Sequence, residues 1–179
     1  MARRLFTLAY PILGALDKAT INAFRAQHDL RNARLVELHF TMMFGITGVD
    51  EGDYLGHVGK IAATTSPIKF HCRYAMLGAD NNYDTAYVFL VPDEGYSAIS
   101  LLHDRLYSGL LISHRRLDLQ YVPHITIGTC SDRHEAKALC DALNARGVSI
   151  VGKVDALTVA ALENDRIEDL RSVRLGDGS

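Results

Sequence analysis

Two copies of one short motif, a histidine and a threonine separated by an apolar residue, are the strongest chemical signal in this chain. The copies are His39-Phe40-Thr41-Met42 and His124-Ile125-Thr126-Ile127. In a chain of this composition, roughly 0.1 copies of the motif are expected by chance. Two copies in matching apolar surroundings therefore indicate a shared function. Imidazole has an ordinary pKa of about 6.5 and can act as base or acid near neutral pH. The repeat therefore predicts a paired-histidine site suited to phosphodiester chemistry without a metal.

The threonines follow the histidines at the spacing of a β-strand. Because strand side chains alternate between two faces, Thr41 shares a face with His39, and Thr126 shares one with His124. The threonine hydroxyls could then donate to non-bridging phosphate oxygens as negative charge builds there. The alternative is that both pairs are ordinary half-buried strand residues.

Each motif is expected in a strand that buries one apolar face. The first strand is predicted over about 35–46, where alternation assigns Phe44 to the buried face and Met43 to the face of the histidine. In the second strand, Ile125 and Ile127 are expected to be buried. Two such strands, each presenting a histidine and a threonine, could face one another across a groove.

Composition narrows the class of protein. The chain has 179 residues, 48% of them apolar, and a net charge of −2. That charge argues against strong non-specific nucleic-acid binding, so any RNA contact should be local. The odd cysteines Cys72, Cys130 and Cys140 lack metal-ligand spacing and predict buried thiols in a reducing compartment, hence a cytoplasmic protein. The apolar run after Arg4 is interrupted by Pro11 and is expected to be a first strand rather than a signal peptide.

The order of expected elements is itself repeated. Each half runs strand, helix, motif strand, helix, strand, and Glu163-Asn164-Asp165 is expected to turn a final hairpin. This order predicts an α+β fold, a bilobal pseudo-symmetric duplication with two antiparallel sheets flanked by helices and a central groove. Residues 1–179 are expected to form a single domain of two intertwined lobes. The expected strands are about 4–10, 35–46, 68–76, 85–91, the second motif, 148–162 and 166–174, and the expected helices are about 17–30, 52–64, 94–108 and 133–146.

Three finer expectations accompany these elements. Asn81-Asn82 is predicted to be a turn, and 110–121 a loop. Asp132 with Glu135 is interpreted as a capping box that opens the helix of about 133–146.

The chain resembles the 2H phosphoesterase superfamily and, within it, the 2′-5′ RNA ligase-like proteins. The resemblance is carried by the two motifs, by Pro123 before the second histidine, and by the order of elements over essentially the whole chain. It implies action on 2′,3′-cyclic phosphates or 2′-5′ linkages of RNA or nucleotides, with His39 as acid and His124 as base for cyclic substrates. The residues themselves leave these two roles open, and the histidines can exchange roles between forward and reverse reactions.

Two other functions stay open at this point. One is a nucleotide- or RNA-binding module without turnover; the presence of both histidines and both threonines favours an enzyme. The other is a 2′-5′ RNA ligase running the same chemistry in reverse. RNA ligase-like relatives often have an arginine shortly before the Pro-His pair, whereas this chain has Tyr121-Val122 there.

Four further residues are candidates for binding the substrate. Arg73 lies on a strand that is expected to border the groove, where it could bind phosphate bidentately. Arg115 and Arg116 belong to the most basic cluster, in the loop before the second motif. Tyr121 could stack on a base, although aromatic packing is the ordinary role. We expect no cofactor, no metal, no membrane contact and a monomer.

Overall fold

The protein is described by a computed structural model that covers residues 3–79 and 85–176. The predicted turn at Asn81-Asn82 lies outside the described residues. The strands are β1 Arg4–Ala9, β2 Ile12–Leu13, β3 Phe40–Ile46, β4 Ile68–Ala79, β5 Ala86–Glu94, β6 Ile125–Cys130, β7 Ile150–Val154, β8 Ala156–Glu163 and β9 Arg166–Arg174. The α-helices are α1 Ala15–His28, α2 Leu30–Leu35, α3 Glu51–Ala63, α4 Tyr96–Leu106 and α5 Arg133–Arg146.

The nine strands pair in the order β2-β7-β4-β5-β6-β3-β1-β8-β9, and every pairing between neighbours is antiparallel. The two motif strands β6 and β3 are neighbours at the middle of this order, but they pair only at Phe40 and Ile125. The two sheets expected from the sequence are therefore joined through a single residue pair. Helix α5 packs on β4, β5 and β6, and α1 packs on β6, whereas α3 packs on β8 and β9. The α+β class with antiparallel sheet and flanking helices is confirmed.

The first motif strand is shorter than predicted. It begins at Phe40 rather than near residue 35, because residues 30–35 form α2 and the next four residues form no ladder. The buried Arg25 guanidinium donates to the carbonyl oxygen of Val36 at 3.1 Å, so a side chain satisfies this backbone group in place of a partner strand.

The predicted alternation of β3 fails after Met42. Met42 and Met43 are both buried, whereas Phe44 is half-buried. The β1–β3 register shifts on both sides of Thr7, which pairs with Met43, and such an irregularity resets which face a side chain occupies. In β6, Ile125 and Ile127 are buried as predicted, but the alternation is lost at Gly128, which is also buried and lies where the β5–β6 register shifts.

The C-terminal segment 148–162 is two strands rather than one. β7 pairs with β2 and β4, whereas β8 pairs with β1 and β9, so the chain passes between the two halves at Asp155. Hydrophobic pattern alone does not reveal such a change of partner. The predicted hairpin turn is present, and Asn164 and Asp165 adopt the positive φ angles of 51° and 59° that a tight two-residue turn requires.

The start of α5 and the segment 110–121 each differ in part from what the sequence predicts. Asp132 caps α5, but its carboxylate accepts from the amide of His134 at 2.8 Å rather than from the amide of Glu135. The expected loop 110–121 begins with a 3-10 helix, Gly109–His114.

Candidate active site

Both motif histidines lie immediately before their strands, beside the junction of the two halves. β3 and β6 run antiparallel with Phe40 opposite Ile125, so the residues on either side of this pair, His39 and Thr41 in one segment and His124 and Thr126 in the other, lie at the same point of the sheet. The charge of His39 contributes to the pKa of His124, which places the two rings within electrostatic range of one another. The structure therefore brings together the four residues that the sequence analysis singled out.

Each imidazole is oriented by the same backbone contact. His39 Nδ1 lies 2.7 Å from the carbonyl oxygen of Glu37, and His124 Nδ1 lies 2.6 Å from that of Val122. A carbonyl oxygen only accepts, so Nδ1 carries the hydrogen and Nε2 of the neutral ring keeps its lone pair. Within residues 3–79 and 85–176, neither Nε2 atom has a hydrogen-bond partner. Both rings are thus fixed with one unoccupied nitrogen.

Burial lowers the pKa of both histidines. For His39 the largest cause is desolvation, opposed by the bond to the Glu37 carbonyl and reinforced by the nearby Arg25. For His124 the largest cause is again desolvation, opposed by the bond to Val122 and reinforced by the charge of His39. Both rings are therefore neutral near pH 7 in the free protein. A bound phosphate anion would favour the charged form and raise the pKa of the nearer ring.

A phenylalanine that the sequence analysis did not single out holds His124 in place. The Phe89 ring stacks on the imidazole with 3.7 Å between centroids and 21° between planes. Phe89 in turn lies over Gly78 of β4, where an added Cβ would come within 2.2 Å of Phe89 Cε2. The alternating pattern of β5 could assign Phe89 to a face, but only the strand neighbours reveal its contact with His124.

His39 has a different aromatic neighbour. The Tyr10 ring meets it edge to face, with 6.4 Å between centroids and 81° between planes. The Tyr10 hydroxyl donates to Asp169 Oδ1 at 2.9 Å, which fixes the tyrosine. Burial and this carboxylate raise the pKa of Tyr10 well above its ordinary value, so its hydroxyl stays protonated.

Tyr121 joins the segment before the second motif to the first motif strand. Its hydroxyl donates to the carbonyl oxygen of Thr41 at 3.2 Å, and its ring stacks on His103 with 3.6 Å between centroids. His103 is buried, and its Nδ1 donates to the carbonyl oxygen of Met42 at 3.1 Å. These two side chains satisfy carbonyl groups of β3 beyond the point where β6 stops pairing with it.

Thr41 and Thr126, each two residues after its histidine, are similar in burial and in hydrogen bonding. Both are half-buried, and among the described residues neither hydroxyl has a hydrogen-bond partner. A hydroxyl that is partly withdrawn from water and not otherwise engaged can donate to a ligand oxygen. Their assignment as phosphate-binding residues stays a prediction.

The candidate arginines are already paired with carboxylates. Each guanidinium lies on an exposed surface and forms a hydrogen-bonded ion pair of 2.5–2.8 Å; the pairs are Arg73–Asp93, Arg115–Asp104 and Arg116–Asp118. The positive charge of each of these three arginines is thus neutralised by a carboxylate at the surface. That they bind the substrate stays a prediction.

Two negative findings apply to residues 3–79 and 85–176 alone. No group of three His, Cys, Asp or Glu side chains is arranged as a metal would need. In the same residues, no helix has both the length and the apolar character needed to cross a membrane.

The three cysteines are buried and free, as expected, and burial raises the pKa of the Cys72 thiol to about 12.

Comparison with known proteins gives a family and a fold. The family model of the 2′-5′ RNA ligase superfamily matches residues 14–166. The structure is similar to E. coli LigT without ligand (22% identity, TM-score 0.57, 97% of each chain covered). It is also similar to LigT complexed with NADP+ (20% identity, TM-score 0.61, 98% of this chain and 99% of the other). TT0787 of Thermus thermophilus is similar as well (17% identity, TM-score 0.61, 97% and 98%).

The chain belongs to the 2′-5′ RNA ligase superfamily, because the family model spans most of its length, including both motifs. No curated protein sequence matches it. The solved relatives share its fold over nearly the full length at low sequence identity. The expected resemblance to 2H phosphoesterases is thereby confirmed.

Proposed function

We propose that this protein is a metal-independent phosphodiesterase that hydrolyses 2′,3′-cyclic phosphates or 2′-5′ phosphodiester bonds of RNA or nucleotides. His39 and His124 act as the acid–base pair, and Thr41 and Thr126 donate to the phosphate oxygens. The observation that carries the proposal is the matched pair of imidazoles beside the junction of the two halves, each with Nδ1 bound to a carbonyl and with no hydrogen bond from Nε2 to any described residue.

The reaction needs two proton transfers. One neutral Nε2 removes a proton from water as its oxygen bonds to phosphorus, and the other, protonated Nε2 gives a proton to the leaving ribose oxygen. On a cyclic phosphate the phosphorus–oxygen bond to O2′ or O3′ breaks and a phosphomonoester remains. For such substrates we assign His124 as base and His39 as acid, following the resemblance. Each transfer contributes on the order of 10²–10⁴ in rate.

The relatives support a nucleotide substrate. E. coli LigT has been solved in complexes with 3′-AMP, with phosphate and with ATP, as well as with NADP+. These ligands share a phosphate, and three of them carry an adenosine. We transfer to this chain the binding of a nucleotide phosphate in the groove.

Ligation is the second candidate, because the matching family model describes 2′-5′ RNA ligases. It would form a 2′-5′ bond when a ribose 5′-hydroxyl, in place of water, attacks the phosphorus of a 2′,3′-cyclic phosphate and the bond from phosphorus to O3′ breaks; cleavage of the new bond is the reverse step, in which the two histidines exchange roles. The same two Nε2 atoms serve either direction, so the balance depends on whether water or a ribose hydroxyl occupies the site.

The test is hydrolysis of the four nucleoside 2′,3′-cyclic monophosphates in EDTA by wild type, His39→Ala, His124→Ala and His134→Ala. His134 is an exposed histidine of α5 that belongs to neither motif, and it serves as the matched control. We expect turnover in EDTA that falls by at least about 10² in the two motif variants and is unchanged in the control. The product isomer identifies which oxygen leaves.

Contrary outcomes point to the alternatives. Turnover that survives both motif substitutions would refute the two-histidine mechanism. If no cyclic monophosphate is hydrolysed, a 2′-5′-linked dinucleotide tests the second substrate class. Nucleotide binding that is unaffected by His→Ala changes and not followed by turnover would mark a binding module.

A further inference from the structure

We propose that a cavity between α1 and α5 binds an amphiphile with one carboxylate head and one aliphatic chain. This α1–α5 cavity is defined here by Phe24 of α1, Leu143 and Arg146 of α5, and Ser149 in the segment that follows α5. Its volume is about 420 Å³, within the range of small-molecule sites. The inference concerns a second site and does not rest on the proposed function.

The α1–α5 cavity lies behind the strands that carry the candidate active site. Its floor includes Leu90 of β5 and Ile127 of β6, beside side chains of α1 and α5. Successive strand side chains point to opposite faces, so Leu90 is opposed to Phe89, and Ile127 is opposed to Thr126. Phe89 stacks on His124 and therefore belongs to the face of the histidine. The cavity is thus separate from the groove of the histidine pair.

The walls of the α1–α5 cavity are apolar and incompletely covered. Four wall side chains are only half-buried, namely Phe24, Leu143, Val148 and Ile150. Each packs on the core with part of its surface and lines the cavity. An aliphatic chain in the cavity would remove more of this apolar surface from water, which is the main favourable contribution to binding.

One cation lies at this apolar cavity. Arg146 belongs to the last turn of α5, is exposed, and forms no hydrogen bond or ion pair with any described residue. No acidic side chain is among the described residues that line the cavity. The C-terminus of α5 carries about half a negative charge, so the full positive charge of Arg146 leaves this end of the cavity net positive. A guanidinium with free donors can bind a carboxylate bidentately.

Ser149 supplies a hydroxyl hydrogen at the same end of the cavity. The Arg73 guanidinium, held by Asp93 at 2.8 Å, lies 3.0 Å from His71 Nδ1. A guanidinium only donates, so Nδ1 accepts and the neutral imidazole carries its hydrogen on Nε2. His71 Nε2 then donates to Ser149 Oγ at 2.9 Å, which leaves the serine's own hydrogen for a ligand oxygen. Arg146 and Ser149 together form a site for a carboxylate head.

The volume of the cavity sets the length of the chain. An apolar cavity of about 150 Å³ holds benzene, which has six carbons. By proportion, a cavity of about 420 Å³ accommodates roughly twelve carbons together with a head group. The ligand class is therefore a medium-chain carboxylate.

The test uses decanoate, 1-decanol and decyltrimethylammonium, which share one chain and differ in the charge of the head. Binding is measured by isothermal titration calorimetry at concentrations below micelle formation, and amide chemical shifts locate the site. These shifts should change around Leu90, Ile127 and Leu143. Arg171→Gln is the matched control for Arg146→Gln, because Arg171 is exposed on β9 and forms no ion pair with any described residue.

We expect decanoate to bind about tenfold more tightly than 1-decanol, and decyltrimethylammonium to bind more weakly than either. Arg146→Gln should weaken decanoate binding about tenfold, and Ser149→Ala about threefold, whereas neither should change the binding of 1-decanol. Ala23→Phe places a ring at the cavity from the exposed side of α1 and should weaken both ligands alike. From octanoate to dodecanoate, the affinity should rise by up to about fourfold per methylene and then level off.

Absence of decanoate binding, or equal losses in Arg146→Gln and Arg171→Gln, would overturn the inference. Shift changes confined to the surroundings of His124 would also overturn it, as would an affinity that keeps rising beyond about fourteen carbons, since a cavity of fixed volume must fill. A dimer that Ala23→Phe dissociates and decanoate does not, as seen by sedimentation velocity, would assign the cavity to contact between copies of this chain instead.

Discussion

Gly78→Ala should impair catalysis although Gly78 does not touch the histidines. The added Cβ would lie 2.2 Å from Cε2 and 2.4 Å from Cζ of Phe89. Ordinary carbon contacts begin near 3.5 Å, so the ring must withdraw by about 1.3 Å. Phe89 stacks on His124 on one side and on Tyr87 on another, so its displacement moves the imidazole. A misplacement of about 1 Å at a reacting group can lower the rate about 10²-fold.

The assay is kcat/KM on the best 2′,3′-cyclic nucleotide, together with unfolding by denaturant. We expect a loss of about 10² in kcat/KM and of about 1–3 kcal/mol in unfolding free energy, as is usual for overpacking. The pKa of His124, followed by NMR, should rise toward its ordinary value as the ring leaves its buried position. Gly59→Ala on α3 is the control, because nothing lies within 4 Å of its added Cβ.

A double-mutant cycle separates the steric effect from a general one. Phe89→Leu removes the stacked ring and should lower turnover by itself. Adding Gly78→Ala to Phe89→Leu should cost little more, because the atoms that clash are gone. The reasoning is refuted if Gly78→Ala keeps wild-type turnover, or if it loses as much in the Phe89→Leu background as alone.

Three further predictions follow from the lowered pKa values and the contact between the two halves. Because burial lowers the pKa of both His39 and His124, the bell-shaped pH profile of kcat/KM should have its optimum below about pH 6.5. The optimum of kcat should lie at a higher pH, because bound phosphate favours an imidazolium. An optimum of kcat/KM above pH 7 would contradict this prediction. The pKa of His103 is lowered to about 4, chiefly by burial. Between pH 6.5 and 4 the unfolded chain therefore binds more protons than the folded protein does. As the pH is lowered through that window, the unfolding free energy should fall by up to about 3 kcal/mol, and by less in His103→Gln; denaturant titrations at several pH values measure this. Tyr121→Phe removes the hydrogen bond to the Thr41 carbonyl and keeps the ring. It should therefore lower the unfolding free energy by about 1 kcal/mol and lower kcat more than it raises KM. An unchanged unfolding free energy together with an unchanged kcat would exclude a positioning effect of Tyr121.

Local pattern was sufficient for much of the fold. The order of strands and helices, the burial of Ile125 and Ile127, and the turn at Asn164 depend on residue type and spacing within a few positions. The predictions failed where distant partners intervene. The side chain of Arg25 donates to the Val36 carbonyl in the segment after α2, which joins no strand, and the segment 148–162 divides at Asp155 between two sets of strands.

The sequence by itself determined which residues could do chemistry, because a histidine and a threonine repeated in matching apolar surroundings seldom arise by chance. Tertiary structure alone decided how they are held. The carbonyl contacts that orient both imidazoles are local, each to a residue two positions earlier. The stacking of Phe89 on His124, the burial that lowers the pKa of both histidines, and the pairing of Arg115 with Asp104 depend on residues that are distant in sequence. The physical reason is that the packing and burial of a ring, and through them its charge state, depend on atoms far away in sequence, which spacing along the chain does not encode.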